Sequence, residues 1–365
     1  MPVQEELFAA GRGRGRGNAG TVMDAYWWFA ADRHAMWLAR VGGSESPPDD
    51  PVLRTFRFTN AYRVCDRVSQ YLVREVQYRH DQSPSEVVLR TLLFKLFNKI
   101  ETWELICSAG VPSASTFDPA AMSALLGDAQ RSGQAVYSAA YIMPPIALCP
   151  SPKHRGHLGL VARMLDDDLT EAARRADGLA GLYRLLRRYP GIGPFLAFQL
   201  AIDLNYSSAA KFDEAEFVVA GPGALDGISK CLPGTAPSRA ELVIHEVCDR
   251  QEEEFSRRGI EFPGLFGRRL QPIDCQNLFC EISKYSRVAF PGVAGSAGRT
   301  RIKQRYIPAG PLPPPFFPPK WRLSPPLLAA PGHGCGSARH GGARRIAPTA
   351  GPAERHDRPV AEALI

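Results

Sequence analysis

The residues best suited to chemistry gather in one stretch, LLRRYPGIGPFLAFQLAIDLNYSSAAKFDEAEFVVAGPGALDGI (185–228). Near its start Pro190-Gly191-Ile192-Gly193 forms a turn between two helical patterns, and a small residue, Ala197, follows four positions after Gly193. Two glycines let a hairpin backbone approach a phosphate, its N–H groups point outward at a helix N-terminus, and Ala197 lets the helices pack closely. This is a helix-hairpin-helix pattern at about 180–206, suited to gripping the DNA backbone without reading sequence. An ordinary tight turn would use the same residues. Gly191, Ile192 and Gly193 are therefore candidate DNA contacts. Arg63, Arg67, Arg299, Arg301 and Lys303 are candidate phosphate contacts, because guanidinium forks bind such groups bidentately. Arg63 and Arg67 sit i and i+4 on one expected helix face beside Asp66, which equally describes a salt-bridged surface. GRTRIKQR (298–305) is either a DNA contact or a solvated basic exit.

Polar residues in apolar surroundings form a second set. Asn60, Asn98, Lys99 and Glu101 must find partners if buried, as a structural network or a pocket wall. Tyr137 and Tyr141, in YSAAY, can stack a flipped base or fill core. Asp274 reads as an N-cap, which leaves Gln276 and Asn277 spare for function. His34, His154 and His245 are isolated, and the eight cysteines form no CxxC, so metal sites are not expected and buried reduced thiols are. The GxGxxG near the N-terminus has no strand before it, and GxxxxGK[ST] is absent, which argues against a P-loop enzyme.

Helices must position these groups. Apolar spacings of three and four begin at Met23. Asp50-Pro51 opens a helix expected to run through RTFRFTNAYRVCDRVSQYLVREV, Ser83-Pro84-Glu86 reads as a capping box opening a helix toward Gly110, and Asp118-Pro119 opens a third toward Gly127 or Gly133. Further patterns cover about 158–188, 194–206, 239–258 and 273–288, and strand-like alternation is scarce. The fold class is mainly α, a globular helical array with one folded body at 23–306. Residues 307–365 hold 20 of the 65 Gly and Pro residues. That composition, with the GRGRGRG arm at 1–22, reads as disordered, and both tails are expected to be dispensable for folding. The tails also carry most of the net +7, since the body keeps 34 Lys/Arg against 32 Asp/Glu, so composition alone does not argue for a basic body surface. Without a long apolar run or a signal pattern, the expectation is an intracellular protein with no membrane span.

Asp213 lies 20 residues after Gly193. Its local reading is an N-cap for 214–219, with Glu216 three positions on. The spacing also resembles that of the helix-hairpin-helix DNA glycosylase superfamily, which implies that Asp213 is the catalytic carboxylate. In that superfamily the bifunctional members carry a Schiff-base lysine two residues after the second hairpin glycine. Phe195 stands there, and the four-cysteine cluster is missing, so a strand-cleaving lyase is disfavoured.

The segments YWWFAADRH, DDPVLRTFRFTNAYRVCDRVSQYL, LFNKIETWE, YSAAYIMP, YPGIGPFLAFQLAIDLNYS, FDEAEFVVAGPGALDGI, LQPIDCQNLFCEISKY and GRTRIKQRY resemble the alpha-glutamyl/putrescinyl thymine pyrophosphorylase group, over about 26–306. The same helical region accompanies phage 5-hydroxymethyl-deoxyuridine DNA kinases. The resemblance implies thymine hypermodification in DNA, in which a pyrophosphate on the 5-hydroxymethyl group is replaced by an amine such as glutamate or putrescine. The implied partners are DNA containing the modified thymine and the amine, and no cofactor is expected. Asp213 would then receive the ammonium proton or stabilise the methylene, and the arginines and polar residues above would line the pyrophosphate or base pocket. The other readings are a monofunctional glycosylase and a non-catalytic DNA-binding protein.

Overall fold

Side-chain caps start several helices where the sequence places them. In the computed structural model, which describes residues 20–44, 48–138, 143–146, 151–307 and 312–323, Thr21 accepts the Asp24 N–H to open α1 (Val22–Val41). Asp50 takes two N–H groups at the start of α2 (Pro51–Thr55), and Asp118 does the same for α6 (Pro119–Arg131). Fourteen α-helices and no strands occur among the described residues, so the fold is mainly α.

Two expected long helices are broken by tertiary demands. The one opened by Asp50 stops at Thr55, because the next backbone groups pair across the chain: Arg57 N–H donates to Gln304 O and Tyr306 N–H to Thr55 O. The chain resumes as a 3-10 turn at Arg63–Cys65, then α3 (Arg67–Tyr71) and a π-helical turn at Leu72–Gln77. Arg63 and Arg67 thus do not share a helix face. The second breaks at Asn98, whose left-handed φ of 49° separates α4 (Pro84–Phe97) from α5 (Ile100–Ser108). The capping box expected at Ser83 does not form. Glu86 instead accepts from the Ser113 hydroxyl and Ala114 N–H, tying the loop after α5 to α4. The pattern at 158–188 resolves into α7 (Lys153–Asp166), α8 (Leu169–Arg174) and α9 (Leu179–Leu186).

The core forms around α4 and α10 (Pro194–Tyr206), which are buried on nearly all sides over Val87–Phe97 and Ala197–Tyr206. Helix α11 (Pro222–Cys231) crosses α14 (Pro272–Ala289) with backbones in contact: a Cβ added at Gly227 would stand 1.9 Å from Phe279 O. Helix α1 packs on α14 through Tyr26 and Phe279, ring centroids 4.7 Å apart. The pair α12 (Ala240–Asp249) and α13 (Gln251–Arg257) closes the remaining side. Six described cysteines are unpaired thiols, four of them buried.

The tail boundary expected at 307 needs correction. Residues 312–323 strap across the body: Phe317 is buried against Trp37 and Phe266, and Gln70 both donates to Phe316 O and accepts from Phe316 N. Lys320 reaches the carbonyls of Asn205, Ser207 and Ala210, capping the end of α10. The high proline content hid anchoring aromatics spaced along an extended segment. Truncation after Ile307 is therefore expected to lower stability by at least about 2 kcal/mol, the scale for exposing one buried Phe, whereas a chain ending at Leu323 keeps these contacts. Urea unfolding of the two truncations checks this, and equal midpoints would make the strap energetically idle.

Candidate functional site

The hairpin forms as the glycine pattern demands. Helices α9 and α10 pack against each other across Arg187–Gly193, with Gly191 at φ 80°. Ile192 departs from its expected role, since its side chain is buried and its N–H donates to Tyr189 O. Gly191 and Gly193 differ in a way the sequence could not show. A Cβ at Gly191 would lie 2.5 Å from Ile146 Cδ1, whereas one at Gly193 would meet nothing within 4 Å. Gly193→Ala therefore tests phosphate approach without disturbing the body. It is expected to leave the melting temperature unchanged and to weaken binding to any duplex by about tenfold or more, the scale of one lost charge-assisted hydrogen bond. Fluorescence anisotropy on two unrelated sequences checks this, and unchanged affinity would make the hairpin purely structural.

A polar cluster extends from the start of α10. Phe195, partly exposed, packs where a Cβ on Gly221 would be 2.9 Å from its ring and 3.4 Å from Gln276 Nε2, so the 220–221 loop, α10 and α14 meet there. Gln276 is buried and donates to Cys280 Sγ. One residue on, Asn277 donates to Thr59 Oγ1 at 3.0 Å and to Asn60 O at 3.3 Å. Asn60 in turn accepts from Arg33 Nη2 at 2.8 Å, donates through its amide to Cys65 O, and gives its backbone N–H to Asp66 Oδ1 at 2.8 Å. Glu281 accepts the Thr59 N–H and pairs with Lys284. The structure therefore brings Asn60 and Asn277 together around a short irregular segment, 56–62, bounded by the tertiary contacts that end α2, while Gln276 faces Cys280 and the Gly221 loop.

Electrostatics mark Asp66 within this cluster. The residue is half-buried, and its carboxyl is crowded by neighbouring groups. Burial, helped by Glu281, pushes its carboxyl up to about 7, against the pull of the Asn60 N–H and of the Arg63 and Arg33 guanidiniums. Burial and the nearby Arg67 lower the pKa of Arg57. Arg67 itself is exposed, with Glu101 3.9 Å away.

The basic segment joins the same side. Residues 304–306 pair with 55–57, and Arg287 donates to Arg301 O. Further back, the buried Asp226 accepts Ala297 N–H and pairs with Lys230 at 3.1 Å. Arg299, Arg301 and Lys303 project as exposed cations from a backbone fixed at both ends, adjoining Arg57 and the Asn60 cluster.

Other expected residues lie elsewhere. Arg63 is not a pocket wall: it is buried, with Nε on Gln199 and both Nη atoms on Asp203 at 2.7 and 3.0 Å. Tyr137 packs on Phe97, donates to His157 Nδ1 at 2.7 Å because His157 Nε2 serves Pro144 O, and carries Lys153 4.0 Å from its ring centroid. Tyr141 lies outside the described residues. The expected Asp274 cap is shared: Gln271 is the N-cap and Asp274 the N3 partner of a reciprocal capping box.

Asp213 is exposed and accepts Ala215 N–H in a turn, with 214–216 non-helical. Its neighbour Phe212 is pinned in both directions by the Asn205 side chain at the end of α10, so about 20 Å of helix separates this loop from the hairpin. A cleft of about 280 Å³ opens beside it, lined by Lys211, Asp213, Glu214, Arg268, Lys320 and Trp321. Burial raises the Glu214 carboxyl despite its 3.0 Å pair with Arg268, whose guanidinium lies 4.0 Å from the Trp321 ring centroid. Hence Gly221, not Asp213, is what the fold sets against Phe195. Asp66, Arg33, Glu281 and the strap residues were not singled out from sequence, although TNAYRVCD supplied the signal of two polar residues flanking a short apolar run.

Known proteins show the same helical unit. The family model of the 5-hmdU DNA kinase helical domain matches residues 20–295. The chain is 25% identical over 288 residues to a 5-hmdU DNA kinase of Bacillus phage SP10, covering 73% of this chain and 45% of that protein, so it spans about half the length of that relative. No solved structure matches.

Proposed function

Because the chain belongs to the family of 5-hmdU DNA kinase helical domains, we propose that it works on thymine hypermodification in DNA, replacing a pyrophosphate on the 5-hydroxymethyl group with an amine. The observation that carries this reading is the Asn60–Asn277 polar cluster beside a basic segment pinned to residues 55–57, in a chain that also holds a hairpin with an open Gly193. The hairpin and the cations would hold phosphates in register, and the cluster would receive a base taken out of the stack. Polar side chains already satisfied by one another are fixed before substrate arrives, which suits a site that must orient a charged leaving group.

Mass spectrometry of nucleosides tests the proposal, after the protein is incubated with DNA bearing pyrophosphorylated 5-hydroxymethyluracil and candidate amines. An amino-linked nucleoside is expected. Released free base would instead indicate excision by a glycosylase. A second reading, a DNA-recognition domain without chemistry of its own, is favoured by the match to one domain of a longer kinase, and predicts unchanged DNA that remains bound.

A further inference from the structure

We propose that Asp66 is the acid–base residue of this site, its carboxylate taking the proton released when the amine attacks. The assignment rests on the functional reading above for the reaction, and on geometry for the residue. Asp66 is anchored by one backbone N–H, from Asn60, whose own side chain is locked by Arg33 and Cys65 O. The carboxyl is therefore oriented by a neighbouring turn that α1 holds in place through Arg33, on a residue that is only half-buried. In the reaction the amine nitrogen forms a bond to the methylene carbon as the bond from that carbon to the pyrophosphate oxygen breaks. The electron pair leaves with pyrophosphate, and the ammonium proton passes to Asp66.

The charged groups around Asp66 come from every neighbouring element: Arg63 and Arg67 on its own segment, Arg33 from α1, Arg57 from the segment after α2, and Glu281 with Lys284 from α14. Cations outnumber carboxylates there, yet burial keeps the carboxyl titrating at about 7. Below that pH the group is neutral, and above it a negative charge appears beside the cations that face DNA.

Affinity for an unmodified duplex is the test, because it needs neither the modified base nor turnover. With the full chain, binding is expected to weaken about threefold from pH 6 to pH 8, the scale of one added charge at partly screened range. Asp66→Asn should bind as the wild type does at pH 6 and lose this pH dependence. Asn keeps an oxygen for the Asn60 N–H, so its melting temperature should match. A folded Asn variant with the wild-type pH profile would overturn the assignment, as would a wild-type profile flat over this range. If no amine product forms with any protein, the functional reading fails, while the pH profile still decides whether Asp66 titrates at the DNA-facing site.

Discussion

Asp203→Ala is expected to lower the stability of the folded chain by about 3–5 kcal/mol, the largest effect of any single side-chain truncation considered. Asp203 is fully buried on α10 and receives Arg63 Nη1 and Nη2 together with Lys95 Nζ at 3.2 Å. Burial alone would raise its carboxyl, but Arg63 and Lys95 hold it below the ordinary range. Removing it strands two buried cations in the core where α10, α4 and the Arg63 turn meet. Leaving such charges uncompensated is more costly than the pair was favourable, because neither can return to water without unfolding the site. Denaturant titration at neutral pH measures the change. A loss under 1 kcal/mol would mean that water reaches the network and that Arg63 is available to a ligand after all.

This network also explains why Arg63 looked functional in the sequence. An arginine and an aspartate 140 positions apart give no sign of pairing, and helical periodicity placed Arg63 on a surface. The fold was legible where local chemistry decides it. Asp50 and Asp118 cap as their types require, and α10 begins at the proline after the hairpin. It was illegible where distant groups capture backbone, as when Gln304 takes the Arg57 N–H and ends a helix that periodicity would continue. The strap failed for a related reason, since its composition is that of a spacer while Phe316, Phe317 and Trp321, seated on distant rings, and Lys320, on distant carbonyls, anchor it.

The candidate site divides the same way. Asn60 stood out as a polar side chain in apolar surroundings and Asn277 as a polar residue left over beside the Asp274 cap, and these two do meet, whereas Gln276 turns to Cys280. After α10, Asn205 holds the chain at the far end of that helix through two bonds to Phe212, and the chain meets Phe195 at the start of α10 only at Gly221. Asp213 therefore stands at the end of α10 remote from the hairpin, a placement that a spacing of 20 residues does not specify.

Turnover should therefore separate the two carboxylates. Asp66→Asn is expected to reduce amine transfer by roughly 100-fold, the scale for losing a general base, with the remaining rate rising less steeply between pH 6 and pH 8 than in the wild type. Asp213→Asn should keep nearly full turnover, because Asn can still accept the Ala215 N–H that fixes its turn. Single-turnover rates on the same DNA and amine, with affinity measured in parallel, distinguish lost chemistry from lost binding. The opposite pattern, an inactive Asp213 variant beside an active Asp66 variant, would move the chemistry to the cleft of Arg268 and Trp321. The hairpin would then grip DNA about a helix length from the reacting base, a separation that extrusion of the base and bending of the duplex would have to span.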